Sequence, residues 1–316
     1  MTWVNTNSNT ADTVTAPIYQ FVNTPLLRVG YRAFEPASGT PAAGVVMLLH
    51  GWPDSPATWD RVVPHLVQAG YRVIVPALRG FSSTTFLNDD TPRTGQLAAL
   101  GRDLVDLMAA LGIRRPVLVG HDWGARAVAN ACGLVADLAS HMVLLSVGYG
   151  TNNPSQSISM EQARRYWYHW YMATPRGQAE VAANRRAFAK IMWDTWSPAG
   201  WYEADEFEVT AEAFDNPDWL PITLHSYQHR WAHAPGHTHY AADDAQLANP
   251  PKQHMPTLLI HGAEDGVSLL PDAEKAACYF TGHYAQHVIE GVGHFPQREA
   301  PDAVANTILD FLASNP

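Results

Sequence analysis

Cysteine is nearly absent: Cys132 and Cys278 are the only two in 316 residues. They are too few for a disulfide framework and are not spaced as a metal knuckle. Basic residues are scarce as well. Twenty Lys+Arg against thirty Asp+Glu leave a formal net charge of −10, which opposes binding to phosphate backbones and anionic bilayers, so neither a nucleic-acid nor a membrane partner is expected. No apolar run approaches the ~20 residues of a membrane span. The first 17 residues are polar and rich in Thr and Asn, without the basic and apolar stretches of a secretion signal. A reduced, cytoplasmic setting is the expectation. Internal repeats and low-complexity tracts are also missing. What is there, 47% hydrophobic and 16% charged residues, suffices for a sizeable core. The length suits one α/β domain with an insertion, or two separate domains.

Short apolar runs alternate with amphipathic stretches through the first half, and each run ends in a Gly-containing loop. That is the pattern of βαβ units. Residues 44–50, 71–76, 116–120 and 141–147 read as buried parallel strands, and 57–69 and 94–111 as helices. In the second helix Leu97, Leu100, Leu104, Leu107 and Leu111 recur at spacings of three and four, which puts them on one face. Residues 18–34 resemble an antiparallel hairpin. After Gly150 the pattern turns helical and aromatic: seven of the eleven Trp and seven of the twelve Tyr fall between Tyr149 and Pro250. Packing accounts for most of them, since aromatics dominate cores; some are expected to line a pocket. The βαβ pattern returns with 257–260, 271–277, 286–289 and a closing helix at 302–312. The expected division is therefore a core of 1–147 and 253–316, with 148–252 inserted as a helical cap.

Gly120-His121-Asp122-Trp123-Gly124 lies between an apolar strand and a helical pattern. Small residues at its ends allow a turn sharp enough to expose the central side chain over a helix N-terminus. An Asp before a helix also serves as an N-cap, so this motif alone leaves both readings open. Three other segments stand at strand ends: His50-Gly51-Trp52-Pro53 upstream, and His261-Gly262-Ala263-Glu264-Asp265 and Gly291-Val292-Gly293-His294 downstream.

Together, in this order, the four segments resemble the α/β-hydrolase family over nearly the whole chain. The resemblance implies a mostly parallel central sheet flanked by helices, with Asp122 as nucleophile, Asp265 rather than the adjacent Glu264 as triad acid, and His294 as base. Backbone N–H groups of Trp52 and Trp123 would form the oxyanion hole. The loop after residue 147, where some relatives keep the acid, offers Gly148, Tyr149, Gly150 and Thr151 but no carboxylate. A carboxylate nucleophile attacks a saturated carbon in line, expelling halide or opening an epoxide, and forms an ester that His294-activated water would hydrolyse.

Epoxide opening creates an alkoxide that needs an acid on the opposite wall. The cap segments Tyr166-Trp167-Tyr168-His169-Trp170-Tyr171 and His225-Ser226-Tyr227 resemble the epoxide hydrolase pattern best at Tyr227 with Tyr168, and His169 competes for the second role. Tyr168 and His169 lie about 100° apart around a helix, so one of them is expected to be the direct donor. A dehalogenase is the alternative. His169-Trp170 also resembles the halide-binding pair of fluoroacetate dehalogenases, and Arg126 falls where those enzymes hold a carboxylate. However, Trp123 stands where they have a further Arg. His50, Trp170 and Arg126 are assigned to substrate binding.

The aromatic cap suggests an uncharged, apolar small-molecule substrate, and the chemistry needs no cofactor. His225, His229, His233 and His237 repeat every four residues, but no Glu lies between them as in H-E-x-x-H and Pro235 interrupts the helix. They read as a polar face, with no metal site. Asp89-Asp90 and Asp243-Asp244 read as surface loops, and residues 203–208 as an acidic cap exterior. A homodimer is neither required nor excluded, and a binding protein on a hydrolase scaffold is the non-enzymatic alternative.

Overall fold

A computed structural model describes residues 18–37 and 42–316; the N-terminal stretch examined for a secretion signal lies outside them. The strands are β1 (Gln20–Asn23), β2 (Leu27–Phe34), β3 (Gly44–Leu49), β4 (Tyr71–Pro76), β5 (Thr85–Phe86), β6 (Val117–His121), β7 (His141–Leu145), β8 (Thr257–Gly262) and β9 (Tyr284–Ile289). Their order in one sheet is β1-β2-β4-β3-β6-β7-β8-β9, with β5 on β2. The hairpin β1–β2 and the pair β2–β4 are antiparallel. Every pair from β4 through β3 to β9 is parallel.

Alternation along the central strands explains why they read as unbroken apolar runs. Val46, Leu48, Val117, Val119, Val143, Leu145, Leu258 and Ile260 face one core, while Met47, Leu49, Leu118, Leu144 and Leu259 face the other. Both faces are covered, so no polar side is needed. The helices α1 (Val63–Gln68), α2 (Leu97–Leu111) and α3 (Trp123–Leu134) follow in the first half. The expected helix at 57–69 is split into a 3₁₀ turn, Pro56–Trp59, and α1. Pro64 is the cause: it lacks the N–H that a continuous helix would require, and it is accommodated in a new first turn. The expected start at residue 94 moves to Leu97, because Gln96 before it has an extended backbone with φ −56° and ψ 141°.

Between β7 and β8 lie α4 (Met160–Arg165), α5 (Trp167–Ala173), α6 (Pro175–Ala183), α7 (Arg185–Thr195), α8 (Ala204–Ala211), α9 (Trp219–His229) and α10 (Ala241–Ala248). The last of these lies against the core: Asp243 pairs with Arg102 of α2, and Gln246 donates to the Gly133 carbonyl of α3. Asp243 and Asp244 thus occupy a helical first turn rather than a loop, where carboxylates suit the helix dipole. The chain ends with α11 (Ala273–Ala277), α12 (Pro296–Glu299) and α13 (Pro301–Ser314). No helix among the described residues is long and apolar enough to cross a membrane.

Candidate active site

Asp122 sits between β6 and α3 with φ 49° and ψ −110°, a backbone conformation that L-residues avoid and glycine tolerates. The turn is held by close packing. A Cβ on Gly120 would lie 2.3 Å from the Gly124 carbonyl oxygen, and one on Gly124 would lie 2.2 Å from that of Leu49. The Asp122 side chain makes no capping bond to the helix behind it. Its Oδ1 instead accepts the Trp52 backbone N–H at 2.8 Å.

Behind β8, Asp265 is buried and accepts from Val267 N (2.8 Å) and Ser268 N (2.7 Å) with Oδ1. Its Oδ2 meets His294 Nδ1 at 2.8 Å. Burial opposes ionisation of Asp265, but attraction to His294 and these hydrogen bonds hold its carboxyl below the usual range. Burial likewise disfavours the imidazolium of His294, yet Asp265 and then Asp122 raise its pKa above the ordinary value. His294 Nε2 has no protein partner and stands 3.9 Å from Asp122 Oδ2. The expected nucleophile, acid and base are thereby brought together; Glu264 is not part of the set.

Helices α5 and α9, from the segment between β7 and β8, close over this group. Tyr227 of α9 is buried, and its hydroxyl accepts the Trp123 indole N–H at 3.1 Å. Tyr168 of α5 stacks on Trp52 at 5.6 Å and meets Tyr227 edge-on at 5.2 Å. Burial, then Tyr227 and Asp122, push the Tyr168 phenol well above its ordinary pKa, and burial and Asp122 do the same to Tyr227. His169 is buried too, with its ring 4.5 Å from that of Tyr227. Wedged between α9 and the Trp52 loop, α5 has two neighbouring faces covered, so both residues point inward. His169 Nδ1 accepts the Trp231 indole N–H at 3.1 Å, which fixes the tautomer with hydrogen on Nε2. Burial and the charges of Arg230 and Arg126 keep this imidazole well below its usual pKa.

Two of the three assigned substrate contacts, His50 and Trp170, are engaged by protein partners. His50 is fully buried; its Nδ1–H donates to the Gly51 carbonyl (2.9 Å) and its Nε2 accepts from Leu78 N (3.1 Å). Burial lowers its pKa to about 4, so it is a neutral brace for the Gly51–Trp52 loop. The Trp170 indole N–H donates to Ala163 O at 2.9 Å, and its ring packs on Trp231, so it forms no ligand pair with His169. Arg126 lies one turn after Asp122 on α3, donating to Thr151 Oγ1 at 2.8 Å. In the repeated-histidine segment, His225 Nδ1 accepts from Gly95 N and its Nε2 contacts Pro235 O.

Several supporting residues escaped sequence reading because their partners are far away in the chain. The His294 carbonyl accepts from His121 Nε2 (2.7 Å) and Ser146 Oγ (3.0 Å). The His294 N–H donates to Ser197 Oγ (2.9 Å) and Trp196 O (3.1 Å) from the cap. Ser197 Oγ donates in turn to Glu299, which also accepts from Gly293 N and Phe295 N. Glu206, expected on the cap exterior, turns inward to Arg298, whose guanidinium also binds Asp54 at 2.6 Å.

Residues 44–301 match the model of the alpha/beta hydrolase fold family. Epoxide hydrolase A of Mycobacterium tuberculosis is 30% identical, with 94% of this chain and 98% of that protein aligned. An epoxide hydrolase of Caballeronia sordidicola is 27% identical over 86% and 88%. A crystal structure from Klebsiella pneumoniae, provisionally described as an epoxide hydrolase, superposes with a TM-score of 0.86 at 37% identity, covering 93% of this chain and 96% of the other.

Proposed function

Because the chain belongs to the α/β-hydrolase fold family and, within it, to the epoxide hydrolases, we propose that it opens an epoxide to a vicinal diol through an ester on Asp122. Asp122 Oδ2 attacks a ring carbon as the carbon–oxygen bond breaks. The ring oxygen leaves as an alkoxide and takes a proton from Tyr227, with Tyr168 as second donor. Water then loses a proton to His294 Nε2 and adds to the ester carbonyl. The resulting oxyanion is held by the N–H groups of Trp52 and Trp123. Collapse expels the alkoxide, which takes the proton of the added hydroxyl to give the diol and the Asp122 carboxylate, and the proton on His294 returns to the tyrosinate. No cofactor enters this scheme.

The observation that carries epoxide over halide is the bond between Trp123 and Tyr227. The indole N–H groups of Trp123 and Trp170, given to Tyr227 and to the Ala163 carbonyl, are not free to hold a departing halide. Tyr227, accepting from Trp123, keeps its own proton for donation. The test is single-turnover reaction of styrene oxide with the His294→Gln variant. The peptide containing Asp122 should gain the mass of one epoxide. In H₂¹⁸O, the wild type should carry label into Asp122 before the diol. Label appearing directly in the first-turnover diol, with none in the enzyme, would overturn the scheme.

A further inference from the structure

Opening the ring moves a negative charge across the site. Asp122 gives up its charge as the ester forms, the electron pair of the breaking carbon–oxygen bond goes to the ring oxygen, and that oxygen takes the Tyr227 proton. The charge therefore ends on the tyrosinate. A buried phenol resists becoming an anion unless a cation stands near it. The triad supplies none at this stage, because His294 is still neutral when the ester forms.

Arg230 is placed to do so. It caps α9 three residues after Tyr227, so its stem leaves the same helix face. Its guanidinium carbon lies 4.7 Å from the Tyr227 ring centre and 5.7 Å from that of Trp123, whose indole N–H is bound to the Tyr227 hydroxyl. A tyrosinate spreads its charge into the ring, so a cation at this distance favours the anion over the phenol. The arginine is not committed elsewhere. It takes part in no ion pair among the described residues, its Nη2 makes one bond, to Ser226 Oγ at 3.3 Å, and its Nε–H is buried with no acceptor. Burial and Asp122 raise the Tyr227 pKa, while Arg230, then the Trp123 bond and Arg126, draw it back; Tyr168 and His169, which pack on the ring from α5, are uncharged. Once Asp122 is an ester its opposing charge is gone and the arginine remains.

We infer that Arg230 is a positioning residue that acts through Tyr227, the counter-ion that holds the tyrosinate from ring opening until His294 returns the proton. The inference rests on the epoxide reading above, and the two half-reactions of styrene oxide test them apart. Alkylation is followed by tryptophan fluorescence in stopped flow and by the mass gained on the Asp122 peptide. Arg230→Gln should slow alkylation by about 10- to 100-fold, as loss of an opposite charge beside an acid implies, and leave ester hydrolysis little changed. Arg230→Lys, which keeps the charge, should recover much of the rate. In a Tyr227→Phe background, where Tyr168 remains as donor, the same Arg230→Gln change should cost only about two- to threefold, because the anion it serves no longer forms. An arginine that served only the dipole at the end of α9 would cost the same with and without the Tyr227 hydroxyl. That additivity, equal slowing of both half-reactions, or a lysine variant no faster than the glutamine one would overturn the inference and leave epoxide opening standing. If His294→Gln enzyme with Arg230 intact formed no adduct on Asp122, the reading beneath it would fall instead.

Discussion

Trp52 and Asp122 are 70 residues apart, yet the backbone N–H of the first holds one carboxylate oxygen of the second at 2.8 Å. The other oxygen is thereby aimed toward His294 Nε2, 3.9 Å away. The two oxygens of one side chain acquire different tasks. In the proposed scheme Oδ1 rests where the oxyanion forms, and Oδ2 is free to attack.

Asp122→Asn should fold, because the amide oxygen can still accept from Trp52. Its nitrogen is no nucleophile. Steady-state kcat/KM for styrene oxide should drop by about 10⁴-fold or more, and mass spectrometry should detect no covalent adduct.

Replacing Asp265 by Asn should spare the first step and cripple the second. His294 would lose the partner that orients it and stabilises its imidazolium, so ester hydrolysis should slow by about 10³- to 10⁴-fold. Rapid-quench mass spectrometry should then find the alkyl-enzyme accumulating at steady state; free enzyme dominating would contradict this.

Tyr227→Phe and Tyr168→Phe should act on the opposite half-reaction. A positioned acid contributes about 10²- to 10⁴-fold, so alkylation, followed through tryptophan fluorescence in stopped flow, should slow accordingly in Tyr227→Phe. Tyr168→Phe should cost less as long as Tyr227 remains. Hydrolysis of a preformed ester should be little affected in either.

The acid limb of the pH profile should belong to His294. Burial alone would lower its pKa, but Asp265 and Asp122 leave it above 6.5. A general base must be neutral, so the deacylation rate should fall as pH drops through that raised value. Stability runs the other way. The charged ring favours the folded state below pH 6.5, and that contribution is lost as pH rises through the folded pKa. Single-turnover kinetics and urea melts between pH 5 and 9, in roughly half-unit steps, would check both signs.

Arg298→Met would leave Asp54 buried and unpaired. Removing one member of a buried pair costs about 3–5 kcal/mol, to be read from urea unfolding. The double variant Arg298→Met/Asp54→Leu should recover much of the loss, because the fully buried carboxylate is then gone and Glu206 is partly exposed.

Much of this was legible in one dimension because parallel strands buried on both faces read as apolar runs, and the elbow, oxyanion loop and histidine turn each follow one directly. The sharp turn at Asp122 is written in Gly120 and Gly124, which have no space for a side chain. What could not be read was direction. Tyr168 and His169 differ by one position on one helix, and only the packing of α5 between α9 and Trp52 reveals that both point inward. The engagement of His50 by Leu78 and the inward turn of Glu206 to Arg298 depend on partners far away along the chain, a distance that periodicity does not reach.

The hydrogen bond from the His294 N–H to Ser197 has a consequence for how such enzymes can be rebuilt. Ser197 lies in the inserted segment, and through Glu299 it also secures the residues on either side of the base. The roof is therefore not an interchangeable module. A chimera that imported a different insertion to change selectivity would also remove the peg that seats the imidazole, unless a serine in the equivalent place were brought along.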